Sequence, residues 1–188
     1  MEVSTRGFIG FVADGKAKVA YNHSDSYPDW LGRNMLEWAR GADQEAAKAA
    51  VRELRVVAPE DEPTELDEIK LARFANFSVG ARGGKPTWYQ LLRETHGDPG
   101  ATLKAGVIED ASDFPADSLF AEYGSVVDLD QGALEAYVGF QQAPHSEGRF
   151  ASDTPGRNGY YPVRLVASWP LASLPSDDEF FAAFEADE

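Results

Sequence analysis

Residues 6–23 read RGFIGFVADGKAKVAYNH: an apolar run from Arg6 to Ala13, the pair Asp14-Gly15, and a second run from Lys16 to His23. Asp-Gly between two such runs signals a hairpin, because both residues tolerate the positive φ of a two-residue type I′ turn. With Ala13 opposite Lys16, Val12 faces Ala17, Gly10 faces Val19, Phe8 faces Tyr21 and Arg6 faces His23. Alternation then puts Phe8, Val12, Val19 and Tyr21 on one face and Ile9, Phe11 and Ala20 on the other. Apolar side chains on both faces predict a central hairpin covered on both sides.

Outward from this hairpin the pattern changes. The polar turn 24–28 leads into a helix expected from Asp29 to Arg40, with Leu31, Met35, Leu36 and Trp38 inward and Gly41 ending it. Asp43 is positioned to cap a second helix running to Val57, with Ala47, Ala50, Val51 and Leu54 buried. After a Pro-bounded acidic loop (58–63), Thr64 caps a helix that would bury Leu66, Ile69 and Phe74. Thr87 and Gln90 form a capping box for a helix carrying Trp88, Leu91 and Leu92, stopped near Gly97. A second hairpin is expected from Tyr123–Leu129 and Ala133–Phe140 around Asp130-Gln131-Gly132. The stretch 141–159 reads as a long exposed loop. A strand over 160–169 and a helix capped by Ser176 and Glu179, with Phe180, Phe181 and Phe184 inward, complete the chain. This order predicts one α+β domain over residues 1–188, with a mainly antiparallel sheet and helices packed on it.

The 188 residues carry 32 acidic and 17 basic side chains, a formal charge of −15. Apolar residues make up 43%, too many for an acidic disordered chain. The charge is concentrated in three blocks. Residues 59–75 hold six acids and two bases, 109–136 hold eight acids and no base, and 176–188 hold six acids and no base. The remainder is close to neutral. Such a balance argues against direct binding of nucleic acid or an anionic membrane. It suits either a solvated surface or a negative face aimed at a basic protein. The absence of cysteine excludes disulfides, thiolate metal sites and a Cys nucleophile. Neither a signal-peptide pattern nor an apolar run long enough to span a membrane is visible, which points to a cytoplasmic protein. The glycosylation triplets at Asn22 and Asn76 are then chance matches.

Tyr21-Asn22-His23-Ser24-Asp25-Ser26-Tyr27-Pro28 carries the candidate site. If the strand continues, period two puts Tyr21, His23, Asp25 and Tyr27 on one face, with Arg6 opposite His23. A His–carboxylate pair is what general-base chemistry requires, and Arg6 can hold an anionic group bidentately. Arg6, Tyr21, His23, Asp25 and Tyr27 are therefore the ligand-binding candidates. The structural reading of the same residues is a hydrogen-bonded turn closing the sheet, with Arg6 and Asp25 as an ion pair. One His and one Asp are too few for a metal site, and His96 and His145 lie in other segments. No cofactor is indicated.

Other motifs fail on spacing. Gly80–Lys85 departs from the phosphate-loop pattern, since Pro86 follows Lys85 and the first glycine is misplaced. It reads as a connector, although Arg82 and Lys85 can meet an anion at the next helix start. Thr5 would serve as an N-terminal nucleophile only after removal of residues 1–4. No Gly-x-Ser-x-Gly elbow is present.

Thr5-Arg6-Gly7, Asp14-Gly15 and Tyr21-Asn22-His23-x-Asp25-x-Tyr27-Pro28-x-x-Leu31-Gly32 resemble a widespread set of uncharacterised phage and bacterial proteins. These begin with a Thr-Arg pair, a hairpin and an Asp-Gly-Tyr-Pro element before a helix; Ser26 stands here where that element often has Gly. The resemblance covers residues 4–40 and is weaker at 88–93 and 126–137. It implies a viral or mobile-element setting, with host cytoplasm as the compartment, and no particular reaction. Two functions are expected from different classes. One is a phage or mobile-element accessory protein, a binding module whose acidic surfaces engage a basic host protein. The other is a small-molecule-binding or hydrolytic site around Arg6, His23, Asp25 and Tyr27.

Overall fold

The computed structural model describes residues 4–80, 83–156 and 158–185. The hairpin forms in the expected register. Strands β1 (Gly7–Ala13) and β2 (Lys16–Asn22) pair antiparallel, with Val12 opposite Ala17, Gly10 opposite Val19 and Phe8 opposite Tyr21. Asp14 and Gly15 take φ of 53° and 73°, the left-handed pair that a type I′ turn needs.

Five strands form one sheet in the order β2-β1-β5-β6-β7. Here β5 is Tyr123–Asp128, β6 is Ala133–Val138 and β7 is Arg164–Pro170. β1 runs parallel to β5, and the other pairings are antiparallel. The sheet is therefore mixed but mostly antiparallel, and the fold is α+β. Only half of the first hairpin is central. Every residue of β1 is buried, whereas β2 is an edge strand starting with two exposed residues.

Both faces of β1 are covered, by different kinds of structure. Ile9, Phe11 and Ala13 meet the helices α1 (Arg33–Gly41), α2 (Gln44–Glu53) and α6 (Asp177–Glu185) through Leu36, Val51 and Phe180. Phe8 and Val12 face a second core with Val19, Val126, Tyr137, Phe150 and Val163. Among the described residues that face carries no α-helix; the short 3₁₀ turn Phe114–Ala116 packs on it through Phe114. The segment read as an exposed loop supplies Phe150, which is buried and stacks edge-on against Phe8 and Tyr137 at 5.6 and 5.1 Å. Its polar composition concealed one aromatic anchor, worth about 3–5 kcal/mol in a truncation.

Three local expectations change. A π-helical turn, Pro28–Gly32, precedes α1. Asp43 does cap α2 by accepting from the Ala46 N–H, but the helix ends at Glu53. Residues Arg55–Val57 instead form β3, parallel to β4 (Val107–Glu109), where β-branched side chains and a ladder partner outweigh helix propensity. Helix α3 (Glu65–Leu71) has the Thr64 capping box, closed by Asp67. It is rotated from the expected stripe, however. Leu66 and Ile69 are exposed, while Asp67 and Leu71 are buried. Asp67 accepts from Thr64 and pairs with Arg55, and those polar bonds turn that side inward.

A third core beneath α3 gathers Leu71, Trp88, Leu91, Leu92 and Val107. Trp88 and Leu91 come from the one-turn helix α4 (Trp88–Leu91), and Val107 follows α5 (Pro99–Ala105), which Asp98 caps. Among the described residues no helix is long and apolar enough to cross a membrane. Arg82 lies outside the described residues, and Lys85 pairs with Glu62 at 2.7 Å.

Candidate functional site

The turn after β2 is held by its own polar groups. The Asn22 side-chain amide donates to the Ser24 carbonyl and to Ser26 Oγ at 2.6 and 2.8 Å, and the Ser26 N–H donates to the Thr5 carbonyl. Ser26 is fully buried against Gly7, where an added Cβ would lie 2.7 Å from Ser26 Cβ. Asp25 takes φ of 54°, so alternation stops at Asn22 and does not extend to Tyr27.

This turn distributes the candidate residues. Tyr21 and His23 come together, with the Tyr21 hydroxyl 3.0 Å from His23 Nδ1. The Arg6 guanidinium lies over the Phe120 ring at 4.5 Å, and the Arg6 N–H donates to Glu122. The Arg6 charge reaches Tyr21 and opposes the rise in the phenol pKa that burial causes. Asp25 is exposed at the corner, and no ion pair joins it to Arg6 among the described residues. Tyr27 is half-exposed and its ring meets Tyr123 at 6.1 Å.

The fold adds residues from distant segments. Tyr89 faces His23 at 6.1 Å and His96 at 5.5 Å, both edge-on. His96 also faces Tyr21 at 6.4 Å. Burial, reinforced by the Arg93 charge, pulls the His96 pKa down to about 4, so its ring is neutral at pH 7. His145 is placed elsewhere. Its Nε2–H donates to the Pro162 carbonyl while Nδ1 accepts from the Glu147 N–H, which staples residues 145–162 together. Among the described residues no three His, Cys, Asp or Glu side chains are grouped to hold a metal.

Tyr21 separates two depressions. On one side a groove of about 610 Å³ runs between 58–60 and 109–117. Glu60, Glu109, Asp110, Asp113 and Asp117 line it, with no basic residue among the described residues. Tyr21 and Phe114, packed edge-on at 5.0 Å, form its aromatic wall. Burial raises the Glu109 carboxyl above its ordinary value. Among the described residues none of the five carboxylates is in an ion pair.

On the other side a cavity of about 30 Å³ lies between β2, α4 and α5. Tyr21, Trp88, Tyr89, His96 and Glu109 are among its walls. Two of these bring buried polar atoms without a hydrogen-bond partner, Trp88 Nε1 and His96 Nδ1. Sequence reasoning passed over Trp88, Tyr89 and Glu109 and set His96 aside. Trp88 had only a core signature, and the sequence offered no spacing that links 88–96 to 21–23.

Comparison of the chain with protein-family models, with curated proteins and with solved structures finds no match.

Proposed function

We propose that this chain is a non-enzymatic binding module that engages a basic partner protein through the groove beside Tyr21. The observation that carries this reading is the convergence of two acidic blocks. Glu60 from the first and Glu109, Asp110, Asp113 and Asp117 from the second line one concave surface without a base among the described residues. Like charges gathered in a concavity focus a negative potential that draws cations. The wall of Tyr21 and Phe114 adds ring faces on which a Lys or Arg side chain gains about 0.5–2 kcal/mol. The resemblance over 4–40 supports a phage or mobile-element accessory role in the host cytoplasm, with a host protein as the partner.

The test is titration of the full chain with a fluorescent Lys/Arg-rich peptide at several salt concentrations. Affinity is expected to fall steeply with salt. Asp110→Asn/Asp113→Asn should cost about tenfold or more. The control Glu65→Gln/Glu68→Gln removes the same charge on α3 and should cost much less. Equal losses in the two double variants would reduce the effect to net charge and overturn the groove.

The alternative, a small-molecule or hydrolytic site, is favoured by one observation, the Tyr21–His23 hydrogen bond beside Tyr89 and His96. His23→Ala would then leave stability nearly intact while abolishing ligand binding. A large stability loss would mark His23 as structural.

A further inference from the structure

Trp30, Asn34 and Trp38 recur every four residues along the helical stretch 28–41, and all three line one groove of about 480 Å³. Its other bank is the segment from His96 to Pro99. Both rings are held in place. Trp30 lies against Gly97, where an added Cβ would collide with the indole, and Asn34 fixes the same glycine by donating to its carbonyl at 3.0 Å. Trp38 is seated edge-on against Phe11 at 5.4 Å. The Trp30 side chain nevertheless stays 44% exposed. A fixed, solvent-facing tryptophan is what interfaces use as an anchor. The polar lining is acidic. Glu37 and Asp98 are exposed there, and no Lys or Arg lines the groove among the described residues. Glu37 takes part in no ion pair among the described residues, and Asp98 accepts from the Ala101 N–H at 2.9 Å. His96 is neutral at pH 7 and does not oppose a cation.

This groove neighbours the one beside Tyr21. His96 belongs to the wall of the first and Tyr21 to the wall of the second, and the two rings meet edge-on at 6.4 Å. A ridge two rings wide therefore separates them, a span that a few residues of extended chain cross at roughly 3.3 Å each. We infer that the Trp30–Trp38 groove is a second anchor for the basic partner, taking an arginine side chain from the same extended segment whose basic cluster occupies the groove beside Tyr21. The inference rests on that reading of the first groove and adds the form of the partner: two basic positions joined by a short spacer. Indole is the best ring face for a cation. A planar guanidinium stacks on it while its fork of N–H donors reaches a carboxylate such as Glu37, whereas an ammonium is a compact, strongly hydrated point charge. Two linked contacts make the second binding event intramolecular, which raises affinity beyond either alone.

The experiment titrates the ¹⁵N-labelled full chain with peptides of equal net charge. One carries its arginines in a single cluster. The others move one arginine beyond a Gly-Ser spacer of about two to eight residues. The best split peptide should bind at least about tenfold more tightly than the cluster. Only the split peptides should shift the indole N–H signals of Trp30 and Trp38, identified by single Trp→Phe variants, while that of Trp169 stays in place. Lys in place of the spaced arginine should forfeit most of the gain. Trp30→Ala and Glu37→Gln should each bring the split peptide down toward the cluster peptide and leave the cluster peptide within about twofold. Glu37 is exposed, so its variant tests the anchor without disturbing the packing of Trp30 on Gly97. If the cluster peptide binds while the split peptides bind no more tightly and leave Trp30 and Trp38 unmoved, the second anchor is overturned and the groove beside Tyr21 stands. A gain that survives both Trp30→Ala and Glu37→Gln also overturns the anchor. If no peptide binds, both readings fall.

Discussion

The acidic block 109–136 splits into two regions with opposite fates. At the β5–β6 hairpin, Asp128, Asp130 and Glu135 are all answered by bases. Arg149 reaches Asp128 at 2.6 Å and Glu135 at 2.7 Å, and Lys48 reaches Asp130 at 2.7 Å. At the groove, Glu109, Asp110, Asp113 and Asp117 have no such partner among the described residues. Both regions are acidic and neither stretch carries a base of its own. Acidic residues near the sheet turn are consumed in ion pairs that hold the fold, whereas those lining the groove meet no base among the described residues.

The strongest way to break this contrast is to remove Arg149. Its guanidinium side chain is 23% exposed, and those of Asp128 and Glu135 are 6% and 14% exposed. Glu135 also accepts from the Tyr137 hydroxyl at 2.7 Å, and burial, reinforced by the Glu135 charge, pushes that phenol's pKa up. Arg149→Met should destabilise by about 3 kcal/mol in urea unfolding, because it leaves two buried carboxylates uncompensated. It should leave basic-peptide binding by the folded protein within about twofold.

His96, behind the groove wall, sets a pH dependence of similar size. Its pKa falls from 6.5 in the unfolded chain to about 4 in the fold, so between those values the unfolded chain binds more protons. Stability is full above pH 6.5 and declines by up to about 3 kcal/mol as pH falls to 4. Denaturation at stepped pH should show this slope, and His96→Phe should flatten it.

The groove itself should behave in the opposite way to the hairpin. Asp110→Asn/Asp113→Asn should change stability by no more than about 0.5 kcal/mol while weakening peptide binding. As pH falls, binding should begin to decline above the ordinary Glu range near 4.5, because burial makes Glu109 take up its proton early. Glu109→Gln should remove that early decline. Retention of the decline in this variant would place the titrating group elsewhere.

The smallest effect belongs to Asp130. It pairs with Lys48 and accepts from the Gly15 and Asp14 N–H groups at 2.8 and 3.0 Å, which together bring its pKa down to about 2. Asp14 in turn takes a bidentate contact from Arg52 at 2.7 and 2.9 Å. This tie joins both hairpin turns to α2 at the solvent boundary, where salt screens it. Asp130→Asn should lower Tm slightly at low salt, with the difference shrinking as salt is added.

Much of the fold is legible along the chain because turn and cap chemistry is local. Asp14-Gly15 sets the register of β1 and β2, Thr64 starts its helix as the expected cap, and Thr87 and Ser176 start theirs with the expected boxes. The rotation of α3 was not legible, since Leu66 and Ile69 follow the apolar pattern and Arg55, from another element, joins Thr64 in turning Asp67 inward. Nor was the burial of Phe150 inside a polar run. Of the candidate site, Tyr21 and His23 were readable as neighbours at period two. Asp25 and Tyr27 were separated from that face by the left-handed turn at Asp25, which the Asn22 and Ser26 bonds stabilise.

The sequence by itself determined the first hairpin with its two apolar faces, the helix starts and the placement of charge in blocks. Each depends on residues a few positions apart, and backbone sterics decide them. Only the tertiary structure decided which carboxylates found bases, and that Glu60 lies across a groove from Asp113. It alone set His96 and Trp88 around a cavity beside Tyr21. Those outcomes depend on segments up to a hundred residues apart, brought together by burial of three apolar cores that no local pattern specifies.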